Sequence, residues 1–394
     1  MELLAAMKRH IELVQMPASR EPRSLLAVDR AISELRRGRM VAVKGHEGRA
    51  VLMLAAEAAT DSGLSLLASI ANSTTILAVT GRRAAVLGLA DAGPQVALIS
   101  AGSDGALSAD SVIDLADPLS DASGEEVCSL LAAVQVSQAD PYSCEAAAVQ
   151  MAKMARLLPA AMAAEILDPT ANDLDAWAVR HDLFTVDAGD VFQYDKTAAR
   201  SLTSVSEARV PLENAENTRI VAFRPIDGGL EHLAIIIGEP VATDTVLVRL
   251  HSECFTGDLL GSLKCDCGDQ LRGAINEISS VGGGILLYLA QEGRGIGLVN
   301  KLRAYELQDR GFDTLDANEQ LGFDADERVY LPAAQMLREL GYEHIRLLTN
   351  NPEKVSALAA CNVEVVDRVP HAFPSNKHNE LYLDTKARRS GHLI

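Results

Sequence analysis

A chain of 394 residues, 48% of them apolar, is long enough for two domains with real cores, although aromatics make up only 4%. Its 54 acidic against 36 basic residues leave a net charge of −18. That balance excludes general attraction to nucleic acid or an acidic membrane, so an anionic substrate needs a local basic pocket. No run of about 18 apolar residues reads as a membrane span. The N-terminus, with Lys8 and Arg9, lacks the apolar core and cleavage site of a secretory signal. A soluble cytoplasmic protein is expected, its six cysteines serving as ligands or core thiols rather than disulfides.

The spacing of Leu25, Leu26, Val28, Ile32 and Leu35 predicts a helix over 25–37, stopped by Gly38. Residues 40–43 read as a short strand and 51–59 as an alanine-rich helix. Strand-like runs follow at 75–79 and 95–100, a helix at 145–157 before Pro159, and a last helix and strand within 168–200. This alternation predicts a mixed sheet with helices over residues 1–200. Residues 198–211 read as the connection to a second domain, 201–394, of the same α+β class.

The frame at 31–43, 52–57, Cys144-Glu145-Ala146-Ala147 and Ala164-Glu165-Ile166 resembles 3,4-dihydroxy-2-butanone-4-phosphate synthase. The resemblance implies a dense acidic loop after the first strand, holding Mg²⁺ and the sugar phosphate. Here that loop reads Lys44-Gly45-His46-Glu47-Gly48-Arg49-Ala50, nearly stripped of carboxylates. Ser143 stands where the family has histidine, although Glu165 remains. Mg²⁺ leans on carboxylate oxygens, so this half is expected to be an inactive synthase-like domain, kept for folding, dimerisation or regulation.

Alternation at Val246, Val248 and Leu250, with Leu247, Arg249 and His251 on the other face, predicts a strand running towards Cys254. Phe255-Thr256-Gly257-Asp258 reads as a loop that brings Cys265 and Cys267 back beside it. In Cys265-Asp266-Cys267 an extended backbone points both thiols the same way. Three thiolates plus a water describe a catalytic zinc site, which lowers the pKa of that water. A structural zinc closed by His251 or Asp266, and three buried thiols without metal, are the other readings of this spacing.

Gly282-Gly283-Gly284 leads into an apolar strand at 285–289. The glycine-rich run Gln291-Glu292-Gly293-Arg294-Gly295-Ile296-Gly297 follows, whose backbone N–H groups can approach phosphate. A helix continues to about Arg310, with Gly311 as its stop. Leu298, Leu302 and Tyr305 share helical spacing there, so Tyr305 reads either as core or as a site residue. Asp326 and Arg328 are two apart in an extended loop and point the same way, ahead of a helix at 332–340 that begins with proline. Residues 344–348 read as a strand, Thr349-Asn350-Asn351 as a turn, and Pro352 as the start of a helix whose N-terminus suits phosphate. Residues 375–394 read as a polar surface tail.

From about residue 200 onwards these motifs, together with Leu321-Gly322-Phe323, resemble GTP cyclohydrolase II, the zinc enzyme that opens the guanine ring of GTP in riboflavin synthesis. The resemblance implies one zinc per subunit on Cys254, Cys265 and Cys267, and Mg²⁺ with the substrate phosphates. It implies GTP contacts at Arg249, Leu250, His251, Ser252, Glu253, Gln270, Glu292, Gly293, Arg294, Thr314, Thr349 and Lys354. Glu292 would meet the guanine end and Arg294 the phosphates. Tyr305 would orient or protonate the opening ring, and Asp326 would accept a proton. Arg328 would act at the α-phosphate, either as the attacking group or by stabilising charge, since its own pKa exceeds about 12.

A homodimer is implied as well. The expected reaction is attack of hydroxide on the guanine C8, followed by release of formate and pyrophosphate and formation of a diaminopyrimidine phosphoribosylamine. One departure is Ala290, where the family carries arginine, a loss expected to weaken GTP binding or alter triphosphate handling. Two alternatives remain: a paralogue that opens a purine nucleotide but handles its phosphates differently, and a non-catalytic GTP-binding regulatory subunit.

Overall fold

The computed structural model describes residues 23–371 apart from 103–104, 169 and 242–244. The stretch containing Lys8 and Arg9 and the expected tail at 375–394 lie outside the described residues. The first sheet contains β1 (Val41–Lys44), β2 (Ala50–Ala55), β3 (Thr75–Val79), β4 (Ala97–Ala101), β5 (Val134–Gln138), β6 (Ala160–Glu165) and β7 (Phe184–Asp187). Its order is β5-β4-β3-β6-β2-β1-β7, antiparallel throughout except where β1 meets β7. Leu52 and Leu54 of β2 face one buried cluster, with Leu64 and Leu67 of the helix Asp61–Ala71 and with Trp177. Val51 and Met53 face the opposite cluster, against Val28, Ile32 and Leu35 of the helix Arg23–Arg36.

Burial on both faces explains one correction. The expected helix at 51–59 is instead β2 followed by a short 3-10 turn, Ala56–Ala58. A strand covered on both sides reads as a continuous apolar run, which periodicity cannot separate from a buried helix. Pairing with β1 on one side and β6 on the other settles the choice. Residues 168–200 hold two helices, Leu174–Arg180 and Ala188–Arg200, around β7 rather than one.

The second sheet contains β8 (Thr203–Arg209), β9 (Thr218–Arg224), β10 (His232–Gly238), β11 (Val246–Ser252), β12 (Gly283–Leu289), β13 (His344–Leu348) and β14 (Glu364–Val369). It runs β14-β13-β11-β12-β10-β9-β8. Residues 198–211 were expected to be a connection, but they contain β8, paired antiparallel with β9. All its residues are exposed, and the polar composition that suggested a linker is that of an edge strand.

The strands β14, β13, β11 and β12 run parallel to one another, so β13, β11 and β12 release the chain on the same side of the sheet, after Leu348, Ser252 and Leu289. The crevice beyond the carboxyl ends of parallel strands is where open α/β sheets bind ligands. Val248, Leu250, Ile285, Leu287, Ile345 and Leu347 pack on the helix Leu331–Glu339. Leu247, Leu286 and Leu348 point the other way, towards Ala274 and Ile278 of the helix Cys267–Ser280.

A small apolar cluster joins the halves. Leu158 of the first packs with Ile296, Ala304, Leu307, Leu321 and Phe323 of the second. Thr80 Oγ1 donates to the Gly322 carbonyl at 2.6 Å, and Arg303 Nη1 to Glu57 Oε1 at 2.8 Å. Among the described residues no helix is long and apolar enough to cross a membrane.

Candidate active site

Cys254 follows β11 by two residues, and its backbone leads into the short π-helical turn Phe255–Leu259. Cys267 opens the helix Cys267–Ser280, with Cys265 just before it. Their sulfur atoms all lie within 4.8 Å of one another. The separation of Cys254 and Cys265 is 3.8 Å, matching the roughly 3.8 Å edge of a tetrahedron with Zn–S bonds of about 2.3 Å. A Cβ on Gly257 would stand 2.7 Å from the Cys265 sulfur and 3.0 Å from that of Cys254, so only glycine lets the turn close this tightly.

The donor set therefore fits a thiophilic dication. Among the described residues no fourth cysteine, histidine or carboxylate joins the group. His251 Nε2 is held by both oxygens of Asp258 at 3.0 Å, and Asp266 accepts from the Gln270 amide. Three protein ligands and an open position suit a catalytic metal better than a closed structural one. Without the metal's charge the thiols compete for one proton vacancy. Hydrogen bonds from Cys265 and Cys267 hold Cys254 well below the usual thiol range, with Lys301 adding its charge. The bond to Cys254 pushes Cys265 up to about 11, and Cys267 is raised for the same reason. A dication is what allows all three to ionise.

One cavity beside these sulfurs is lined by all the expected GTP-contacting residues and by Tyr305 and Arg328. The strand β11 delivers Arg249, Leu250, His251 and Ser252, with Glu253 next. Arg249 is buried, and burial lowers its pKa to about 10, so it stays charged at neutral pH. Its Nη1 donates to the Leu348 carbonyl at 2.9 Å and its Nη2 to Gln270 Oε1 at 2.6 Å. After β12 the chain turns through Gly293 (φ 63) and Arg294 (φ 60). After β13, Thr349 is buried, and Lys354 Nζ donates to the Leu250 carbonyl at 3.1 Å. Thr314 begins the helix Thr314–Gln320 and accepts from Gln308 at 3.4 Å.

Asp326 is brought in through Arg328, whose guanidinium grips both its oxygens, with Nε to Oδ1 at 2.8 Å. Burial opposes the Asp326 charge, but these bonds win and hold its pKa below the usual carboxylate value. Tyr305 is not part of a core stripe. Leu302, one turn away in the expected stripe, is 52% exposed, and the buried face of the helix Gly297–Asp309 carries Asn300, Lys301, Ala304 and Leu307. The Tyr305 hydroxyl lies 3.5 Å from Thr256 Oγ1, and burial raises its pKa to about 12, so it keeps its proton near neutrality.

Lys301 was missed by the sequence reading. Its Nζ lies 3.1 Å from the Cys254 sulfur, 2.9 Å from Thr256 Oγ1 and 2.9 Å from Glu292 Oε1. Lys301 sits four residues before Tyr305 on the same helix face, a placement that gains meaning only once the fold sets that face against the sulfurs. Glu292 is fully engaged: its other oxygen accepts from the Phe255 N–H at 2.6 Å, tying the loop after β12 to the turn after Cys254. Asp258 was also missed. It accepts from the Cys254 N–H and from the Tyr288 hydroxyl, each at 3.0 Å, as well as holding His251.

In the first half, the short turn His46–Gly48 replaces any acidic loop between β1 and β2. Arg49 donates to both oxygens of the buried Glu145, at 2.6 and 3.0 Å, and lies 3.6 Å from Glu165. A guanidinium thus occupies the space between the two remaining carboxylates. The alanine at position 290 is met by a cation from this half, since Arg156 Nη2 donates to the Ala290 carbonyl at 3.1 Å.

A two-sheet α+β protein, with three thiols that could hold a metal beside a cation-lined cavity beyond three parallel strands, has the layout of an enzyme site suited to a metal ion and an anionic ligand. The family model for GTP cyclohydrolase II matches residues 203–370. Over 371 residues, 94% of both chains, the sequence is 56% identical to a GTP cyclohydrolase-2 of Azospirillum brasilense. The chain belongs to the GTP cyclohydrolase II family. It is also 43% identical over 253 residues to the riboflavin biosynthesis protein RibBA of Bacillus cereus strain AH187, a match covering 63% of this chain and 64% of that protein. A crystal structure of RibBX, a two-domain 3,4-dihydroxy-2-butanone 4-phosphate synthase from A. baumannii, aligns with 88% of this chain and 99% of its own, at 20% identity and a TM-score of 0.36.

Proposed function

We propose that the protein hydrolyses GTP to formate, pyrophosphate and a diaminopyrimidine phosphoribosylamine, as a zinc-dependent cytoplasmic homodimer. The observation that carries this reading is the three-thiol cradle in the wall of the cavity that Arg249, Arg294, Arg328 and Lys354 line. Bound zinc would lower the pKa of water and supply a nucleophile for the guanine ring. Arg249 and Lys354, both buried in the cavity wall, bind the anionic substrate. Tyr305, protonated at neutral pH, donates to a ring nitrogen as its bond to carbon breaks. Arg328, with Asp326 fixing its plane, stabilises charge at the α-phosphate, where Mg²⁺ accompanies the phosphates. A protonated guanidinium favours that role over attack.

The dimer reading is supported by Leu259, Leu260 and Leu263, each at least 60% exposed within five residues of chain. The first half is read as lacking synthase activity, since Arg49 fills the space a metal would need between Glu145 and Glu165. The test is to incubate zinc-loaded protein with GTP and Mg²⁺ and to assay formate, pyrophosphate and the pyrimidine together. All three products are expected in equal amounts. Formate without pyrophosphate would replace this reading with a ring-opening enzyme that keeps the phosphates, and neither product would leave only GTP binding.

A further inference from the structure

Two loops carry the groups placed at the substrate. Residues 290–297 bring Glu292 and Arg294, and residues 324–329 bring Asp326 and Arg328. The loops lean on each other. The Glu327 N–H donates to the Arg294 carbonyl at 3.1 Å, Arg294 Nη1 donates to the Ala325 carbonyl at 3.3 Å, and Gln291 Nε2 donates to the Val329 carbonyl at 2.6 Å. Gly295 (φ 98) lies directly against the second loop, since a Cβ there would meet the Glu327 carbonyl oxygen at 2.9 Å. Residues 324–329 belong to no helix or strand, and the short 3-10 turn Glu292–Gly295 is interrupted by left-handed Gly293 and Arg294, so packing from outside must help to fix both loops.

That support comes from the first half of the chain. Lys153 Nζ donates to Glu327 Oε1 at 2.6 Å, and the same oxygen accepts the Asp324 N–H at 2.8 Å. Lys153 and Glu327 are both mostly buried, at 17% and 21% side-chain exposure, where an ion pair is screened less than at the surface. Arg156, three residues on, donates to the Ala290 carbonyl at 3.1 Å. Its stem lies against Gly297, where an added Cβ would come within 2.8–3.0 Å of three Arg156 side-chain carbons. Asn300 Nδ2 in turn donates to the Arg156 carbonyl at 3.1 Å and the Leu157 carbonyl at 3.3 Å.

Arg156 also has a left-handed backbone (φ 60), a conformation ordinarily left to glycine or asparagine at a helix end. Placing arginine there is costly by local rules, and what it gains is a contact with the far half of the protein. Both sides of the junction are thus shaped to each other: an unfavourable arginine on one, a glycine without room for a side chain on the other.

We propose that Lys153 and Arg156 are positioning residues for the cyclohydrolase reaction, holding the two site loops in register so that the first half, inert as a synthase, completes the active site. This rests on the function proposed above. A site loop displaced by about 1 Å can cost on the order of 10²-fold in rate. Methionine keeps much of each stem while removing the charge.

The experiment compares full-length, zinc-loaded Lys153→Met, Arg156→Met and Lys153→Arg with wild type. It reads kcat and KM from formate and pyrophosphate separately, together with zinc content, Tm and hydrogen exchange at the amides of 290–297 and 324–329. Both methionine variants are expected to lose roughly 10- to 100-fold in kcat, with zinc content kept and loop amides exchanging faster. Lys153→Met should slow pyrophosphate release more than formate release, because Glu327 flanks Asp326 and Arg328. Lys153→Arg should recover most of the rate. Unchanged kcat and exchange would overturn the proposal, and so would a loss that follows Tm and is not recovered by arginine. An inactive wild type would overturn the cyclohydrolase reading instead, while loop exchange would still decide whether these residues hold the loops.

Discussion

Lys301 is the residue that joins the metal cradle to the substrate loops. Burial works against its charge, yet its hydrogen bond to Glu292 and the neighbouring Tyr305 and Cys254 hold its pKa above the usual lysine value. Groups that orient a metal ligand typically contribute 10- to 100-fold in metal affinity. Lys301→Met is therefore expected to weaken zinc binding by about that factor, measured by competition with a chelator. Cys265→Ser should go further, removing most bound zinc and all formate release. Tyr305→Phe keeps the ring and its place in the cavity wall but removes one hydroxyl. Formate release should fall by about 10² to 10⁴, the range for general acid catalysis. Full formate production by that variant would make the hydroxyl a bystander. Arg328→Ala should instead suppress pyrophosphate release and leave ring opening measurable.

The turn after β11 and the loop after β12 act as elements. Gly257→Ala would drive a methyl group into the Cys254 and Cys265 sulfurs, so zinc content should drop even though no ligand is altered. His232, at the start of β10, anchors the other loop by accepting the Ala290 N–H at Nδ1, at 3.0 Å. That bond requires a neutral ring, and burial lowers the His232 pKa from 6.5 to about 4. As pH falls from 6.5 towards 4, the unfolded chain takes up a proton that the folded chain refuses. The stability this histidine confers is complete above that window and is lost on descending through it. His371, also lowered to about 4 by burial, acts in the same direction. Tm measured between pH 7 and pH 4 should fall, and His232→Gln should flatten part of that fall.

At the scale of the whole molecule the two halves share a packed, hydrogen-bonded junction rather than a bare tether. Leu158 is 1% exposed and packs into a cluster whose other buried members all come from the second half. Leu158→Ala is expected to cost about 2–5 kcal/mol by leaving a cavity at the junction, which denaturant unfolding would detect. The full chain supplied with ribulose 5-phosphate and Mg²⁺ should form no dihydroxybutanone phosphate, because Arg49 neutralises Glu145 and Glu165 where a cation would have to sit. Formation of that product would return the first half to the synthases.

Much of the site was legible in the residues themselves because its chemistry is local. Cysteine spacing around a turn, glycines in a strand-to-helix loop and proline at a helix start each constrain backbone and chemistry within a few positions. Those signals located Cys254, Cys265 and Cys267 and the loops after β11, β12 and β13 without any knowledge of packing. Other matters depended on what lay across space. Residues 51–55 became a strand because β1 and β6 flank them, although their alanine and leucine content suits a helix equally well. The exclusion of His251 and Asp266 from the metal cradle was decided by Asp258 and Gln270, partners that the spacing of the cysteines does not specify. Lys301 and Arg156 were invisible for the same reason. A lone cation in a helix or at its end carries no local signature, and only the tertiary fold sets one beside Cys254 and the other against Ala290.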